Sequence, residues 1–243
     1  MKKTGSLFAA AVAVMMMLWG SAAFAEGTKT TLGVKTWLSA WEESESTNSV
    51  QYDAVLMIGP AVDVEFENKM FLKGSFLFAV SDYEDSYFSA PSNGMLKISD
   101  RKDLDLMAGY MFTPQFGAFA GYKSITAEYI DEWPIGTVID TMDIKINGPG
   151  IGVLGSFPVN ETVTLYGSLG WMLLDIEYSW AGGSVSDDMD GPSIEIGAAF
   201  AVSPHSVINV GYKHEKFSGT VDSTGSGFDR TFLGLTAGFK YTF

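Results

Sequence analysis

The sequence contains no cysteine, so reactive chemistry falls to its two histidines and to scattered carboxylates and lysines. His205 lies in "SPHS" and His214 in "YKHEKFS", where Glu215 follows it directly. General acid–base work needs an imidazole and a carboxylate within hydrogen-bond reach. Successive side chains of an extended chain point to opposite faces, so His214 and Glu215 form no such pair on a strand. Asp187, Asp188 and Asp190 crowd together before Gly191 in "DDMDG". Hard cations take oxygen ligands, which makes these three the candidate metal ligands. The fragment lacks the closing Glu and the flanking helices of an EF-hand loop, and the sequence holds no phosphate loop, zinc spacing or nucleophile elbow. Catalysis is not expected, and no cofactor is expected beyond divalent cations gathered weakly by loop carboxylates.

The elements that would carry these residues are strands. The segment "LGLTAGFKYTF" (233–243) alternates strictly, with Leu233, Leu235, Ala237, Phe239, Tyr241 and Phe243 on one face and Gly, Thr and Lys on the other. Period-two alternation marks a strand with two unlike environments. The pattern recurs at 31–42, 50–66, 70–82, 103–113, 116–128, 143–158, 162–175, 192–203, 206–217 and 229–243. Tight Pro- and Asn-containing turns alternate with longer connections at 43–49, 83–102, 129–142, 176–191 and 218–228. Ten strands over residues 26–243 leave about 22 residues each, enough for a membrane strand of about 10 residues and its connection. Eight strands is the alternative if one long hairpin has been divided.

At the other end, "MKKTGSLFAAAVAVMMMLWGSAAFAEGTK" has a positive start (Lys2, Lys3), an apolar run from Leu7 to Trp19 and small residues at Ala23-Phe24-Ala25. These are the three parts of a secretory signal, so residues 1–25 are expected to be removed and 26–243 to form one domain. The apolar run falls short of the ~20 residues of a spanning helix. A formal charge of −14 argues against nucleic acid as a partner.

One face of each strand is apolar and the other small, polar or charged. A soluble sandwich shows the same alternation, but the Gly- and Ala-rich polar faces suit a narrow barrel interior. Aromatics near strand ends (Trp37 and Trp41, Tyr110, Phe112, Phe116, Phe157, Trp180, Tyr241 and Phe243) suit interfacial girdles. A closed barrel also leaves no edge to protect. On this assignment Lys35, Asp53, Asp63, Glu65, Lys73, Asp105, Lys123, Glu195, Lys213 and Lys240 face the lumen, with Glu215 as a further candidate. The two signs nearly balance, so these charges are expected to fill the lumen as ion pairs, with a thin water path as the alternative. In "INGPGIG" (146–152), Ile144 and Ile146 fall out of phase with Ile151 and Val153, and Pro149 donates no ladder hydrogen bond, so a bulge or bend is expected there.

A signal peptide, alternating strands and a terminal Phe243 with Tyr241 two residues before it resemble the small outer-membrane β-barrels of Gram-negative bacteria. The resemblance implies an all-β, antiparallel up-and-down barrel with short periplasmic turns and long extracellular loops. It implies that Leu233, Leu235, Phe239, Tyr241 and Phe243 are read by the barrel-assembly machinery. Some members of this class are proteases or lipid A hydrolases with a catalytic His near the outer end. The Asp-x-His pair of omptin proteases and the His-x-Ser pair of lipid A deacylases are both missing. The expected protein is therefore a monomeric, non-enzymatic barrel. Its acidic segments "WEESES" (41–46), "SDYEDSY" (81–87), "EYIDEW" (128–133) and "DDMDG" (187–191) face outward toward ions, lipopolysaccharide or an external partner. A narrow pore is the first alternative and a barrel enzyme the second.

Overall fold

Alternation is realised as extended chain, and most strands outrun the stretches predicted for them. The structure, a computed structural model, describes residues 27–45, 48–85, 95–132, 138–221 and 224–243; the expected signal peptide lies outside them. The strands are β1 (Lys29–Glu45), β2 (Asn48–Glu65), β3 (Met70–Ala79), β4 (Tyr83–Asp85), β5 (Met95–Met111), β6 (Phe116–Glu132), β7 (Val138–Pro158), β8 (Val163–Trp180), β9 (Gly183–Ser203), β10 (Ser206–Thr220) and β11 (Gly227–Thr242). β1 pairs with β11, and β3 with β5, so the antiparallel ladder closes on itself. The short β4 continues the line of β3 and pairs with β5 through Tyr83↔Ile98. The wall therefore has ten staves, and the eight-strand alternative is excluded.

At one end β2–β3, β5–β6, β7–β8 and β9–β10 are joined by tight turns. Side-chain acceptors tie them down: Asn68 Oδ1 takes the Met70 N–H, Thr113 Oγ1 the Phe116 N–H, and Asn160 Oδ1 the Val163 N–H. At the opposite, loop end, most of what was expected as long connections is strand. β5 begins at Met95 rather than 103, and β9 at Gly183 rather than 192. The described parts of the acidic runs thus lie mainly in the wall.

The longer strands carry an inversion of polarity. In the turn-end half the outer face is apolar: Val34, Leu38, Ile151, Val153, Leu165, Leu169, Ile196, Leu235 and Phe239 are all exposed. On β8 this belt runs from Leu165 to Leu173, after which Asp175 is exposed; that matches the ~9–11 residues of a membrane-spanning strand. In the loop-end half the apolar side chains turn inward. Ile98, Ile125, Ile144, Ile146, Leu174, Ile176, Phe217 and Phe232 are buried, while Asp143, Lys145, Asp188 and Lys216 face water.

Two sequence-based face assignments change for this reason or because of a bulge. No register shift occurs at 146–152: Ile146↔Ile125, Pro149↔Tyr122 and Ile151↔Ala120 follow one continuous register. The β7–β8 ladder skips Gly148 and Pro149 and resumes unshifted. The apparent phase break is a change of surroundings, with Ile144 and Ile146 in the core and Ile151 and Val153 on the belt. In β2, by contrast, an extra residue beside Ser39 and Trp41 shifts the register. Tyr52 therefore points inward and Asp53 is exposed outside, not in the lumen. A second bulge in β5, between Ser99 and Lys102, includes Asp100 at φ 55° and aims Arg101 into the barrel.

Candidate functional site

The barrel interior is layered. Nearest the turns is a cavity of about 700 Å³. Glycines on the inner wall make room for side chains that cross it: a Cβ on Gly33 would lie 2.9 Å from Cγ of Lys240, which passes over β1 to reach Asp63 on β2.

The cavity ends at a belt of charges. Asp105 accepts hydrogen bonds from Lys123, its neighbour on β6, and from Lys213 at 2.8 Å. Lys213 comes from β10, five staves from β5 in a ring of ten, so this pair spans the barrel. Glu215 lies 3.1 Å from Lys123 and 3.2 Å from Lys213, and accepts from Ser193 Oγ at 2.8 Å. Lys35 holds Glu195 through both carboxylate oxygens, at 3.1 and 2.8 Å. Charges taken out of water are tolerable in such a place only when paired and hydrogen-bonded.

Beyond the belt the lumen is packed. Arg101, fully buried, makes a bidentate pair with Asp103 at 2.9 and 2.8 Å and donates through Nη1 to Ser39 and Tyr83. Four aromatic rings surround the guanidinium, with centroids at 4.5 Å (Phe232), 5.0 Å (Trp41), 5.3 Å (Trp37) and 5.4 Å (Tyr83). A planar, weakly hydrated cation that stacks on ring faces is the charge best suited to that setting. These side chains come from β1, β4, β5 and β11 and join a buried apolar core from the remaining wall.

A polar network covers the core at the loop end. Glu43 accepts from Trp41 Nε1 at 3.0 Å and pairs with Arg230 at 3.2 Å; Arg230 donates to the Tyr178 hydroxyl at 2.7 Å, and Tyr52 and Tyr129 share a hydrogen bond of 2.8 Å. Burial raises the Glu43 carboxyl above its ordinary range, against the opposing pull of Arg230. Burial likewise pushes the Tyr129 hydroxyl up to about 12.

Of the residues expected in the lumen, Lys35, Asp63, Lys73, Asp105, Lys123, Glu195, Lys213 and Lys240 line the cavity. Glu65 sits at its rim, more than half exposed and 3.9 Å from Lys29. Leu233, Leu235, Phe239, Tyr241 and Phe243 share the outer face, as alternation demands. Asp187, Asp188 and Asp190 are not brought together, because β9 sends Asp187 inward and the other two outward. Asp190 accepts from Trp171 Nε1 at 3.0 Å, and Asp188 lies opposite Asp175. Among the described residues no group of His, Asp and Glu suits a metal ion. His205 stacks on Tyr241 at the turn end; His214 points outward between the inward Lys213 and Glu215.

Sequence reasoning missed the core. Trp37 and Trp41, read as girdle residues, are fully buried inside, because they share the inward face of β1 with Lys35. Arg101 was hidden by reading 83–102 as a loop, which left Asp103, the first residue of the expected strand 103–113, without its partner. The spacing Arg101, Asp103, Asp105 was the available signal, since residues two apart share one face.

Residues 86–243 match the family described as "Outer membrane protein beta-barrel domain". No curated protein matches the chain. Among solved structures, the fold is similar to that of the outer membrane protease OmpT from Escherichia coli, with TM-score 0.61 and 13% identity over 90% of this chain and 97% of that one. Neisserial surface protein A aligns at TM-score 0.41 and 13% identity over 90% and 100% of the two chains. Ail of Yersinia pestis aligns at 0.36 and 16% over 89% and 99%. These identities speak to fold alone.

Proposed function

The chain belongs to the outer membrane protein β-barrel domain family and resides in the bacterial outer membrane, and from that premise we propose that it is a sealed, non-enzymatic barrel acting through its extracellular half. The observation that carries this reading is the buried stack of Arg101 with Trp37, Trp41, Tyr83 and Phe232 across the lumen. In this reading the tight turns face the periplasm, as in barrels of this class. The water-facing carboxylates of the loop-end wall meet cations, lipopolysaccharide or an outside partner. Lipids cover the apolar belt, and the outward residues of β11, Leu233 to Tyr241 with Phe243, serve the assembly machinery. The non-enzymatic part rests on the outward position of His214 and on the confinement of His205 to a turn.

Planar-bilayer recording of the refolded protein tests the seal. Wild type is expected to insert without conducting, while Trp41→Ala combined with Phe232→Ala opens measurable steps. Reproducible steps in the wild type, altered by Glu195→Gln, would replace this reading with that of a narrow pore.

A further inference from the structure

Below the packed core lies a chamber whose lining, reaching the turn end, carries more lysines than carboxylates. Lys240 is paired with Asp63, Lys35 with Glu195, and Lys123 and Lys213 with Asp105 and Glu215. Lys73 remains. Asp63 stands opposite it in the β2–β3 register, but the hydrogen-bonding oxygen of Asp63 goes to Lys240. Among the described residues no carboxylate lies within ion-pair distance of Lys73, and its Nζ rests 5.4 Å from the centre of the Phe71 ring. Asp63 therefore serves two lysines, and Lys73, partly exposed to the chamber, shares its counter-charge with Lys240. The chamber, of about 700 Å³, falls in the range of small-molecule pockets. Apolar side chains also line it, with Phe71, Met107, Met111, Phe119, Leu154 and Val207 among them.

We infer that this chamber binds a small amphipathic anion entering from the turn end, with the anionic head at Lys73 and an aromatic or short aliphatic body against the Phe and Met side chains. Charge and shape act together here: an inorganic anion would leave the apolar walls uncovered, and a neutral aromatic would leave the chamber's excess of positive charge unmatched. The seal itself has no part in this binding, so the chamber can bind whether or not the barrel conducts.

The test is fluorine NMR of 4-fluorobenzoate with the refolded protein in phosphatidylcholine nanodiscs, against empty nanodiscs. Saturable binding to the wild type is expected, at least tenfold tighter than that of neutral 4-fluorobenzyl alcohol. Lys73→Met, with folding verified by heat-modifiable gel mobility, is expected to weaken benzoate at least tenfold and leave the alcohol unchanged. Lys73→Gln, which keeps polarity, provides the same reading if the Met variant does not fold. Absence of saturable binding, or equal binding of the alcohol by the wild type, overturns the proposal, as does unchanged affinity in a folded Lys73 variant. Inorganic phosphate competing as well as 4-fluorobenzoate itself would overturn the amphipathic part.

Discussion

Ile146 and Ile151 lie on one strand in one unbroken register, yet Ile146 is fully buried inside the barrel and Ile151 is 71% exposed on its outer face. Between them the solvent changes. Toward the turns the wall has lipid outside and a charged, glycine-rich lumen inside. Toward the loops it has water outside and an apolar core inside. The strand supplies two faces; what surrounds each determines which must be apolar. The loop-end half therefore resembles a small soluble β-protein joined to a membrane barrel through the same backbone. The charged belt sits near the level where the two meet.

Comparison of the halves can be broken most severely at Arg101. Arg101→Met leaves Asp103 buried without its partner, which should cost about 3–5 kcal/mol and lower the urea midpoint of the refolded barrel. An unchanged midpoint would mean that the core above the belt contributes little to stability. A charge scan comes next. Leu235→Arg in the lipid belt should cost about 2–4 kcal/mol, whereas Ser186→Arg on the loop-end outer wall should stay within about 0.5 kcal/mol. Equal costs would place the membrane boundary wrongly.

Acidity gives a finer distinction. Glu43 has its carboxyl raised by burial, so the folded state holds that proton more tightly than the unfolded chain does. Its contribution is present below the ordinary carboxylate range and is lost as pH rises through the raised value. Wild type should therefore lose stability relative to Glu43→Gln over that interval, seen as converging or crossing urea midpoints. Asp229, on the outer wall, behaves oppositely: a hydrogen bond from Ser218 and the nearby Lys216 hold it below its ordinary range. Its support is present above that range and lost as pH falls through the lowered value. Since the pair is exposed, Asp229→Asn should cost only a few tenths of a kcal/mol at neutral pH, and the difference should disappear in acid.

The barrel was legible because alternation is set by the backbone, and a strand of period two shows its faces wherever they differ. Nine of the ten charges expected in the lumen line the cavity, Glu65 at its rim. Asp53 failed because one extra residue in β2 reverses every face beyond it, and nothing in "QYDAVL" announces the bulge. Trp37 and Trp41 failed because an aromatic near a strand end suits a girdle, although both share the inward face of β1 with Lys35. Arg101 was hidden twice, by a segment polar enough to pass for a loop and by a bulge that turns it inward.

The Lys213–Asp105 pair has a consequence for the order in which the protein is made. Its partners stand 108 residues apart in sequence and on opposite staves, so neither finds the other while the sheet is open. A chain halted with β5 to β9 in place still lacks Lys213, leaving Asp105 without one of its two lysines. Closure of the sheet and neutralisation of its centre thus come at the same late moment. Contacts of such long separation slow assembly, but they also mark completion, because only a finished ring brings Lys213 and Asp105 together.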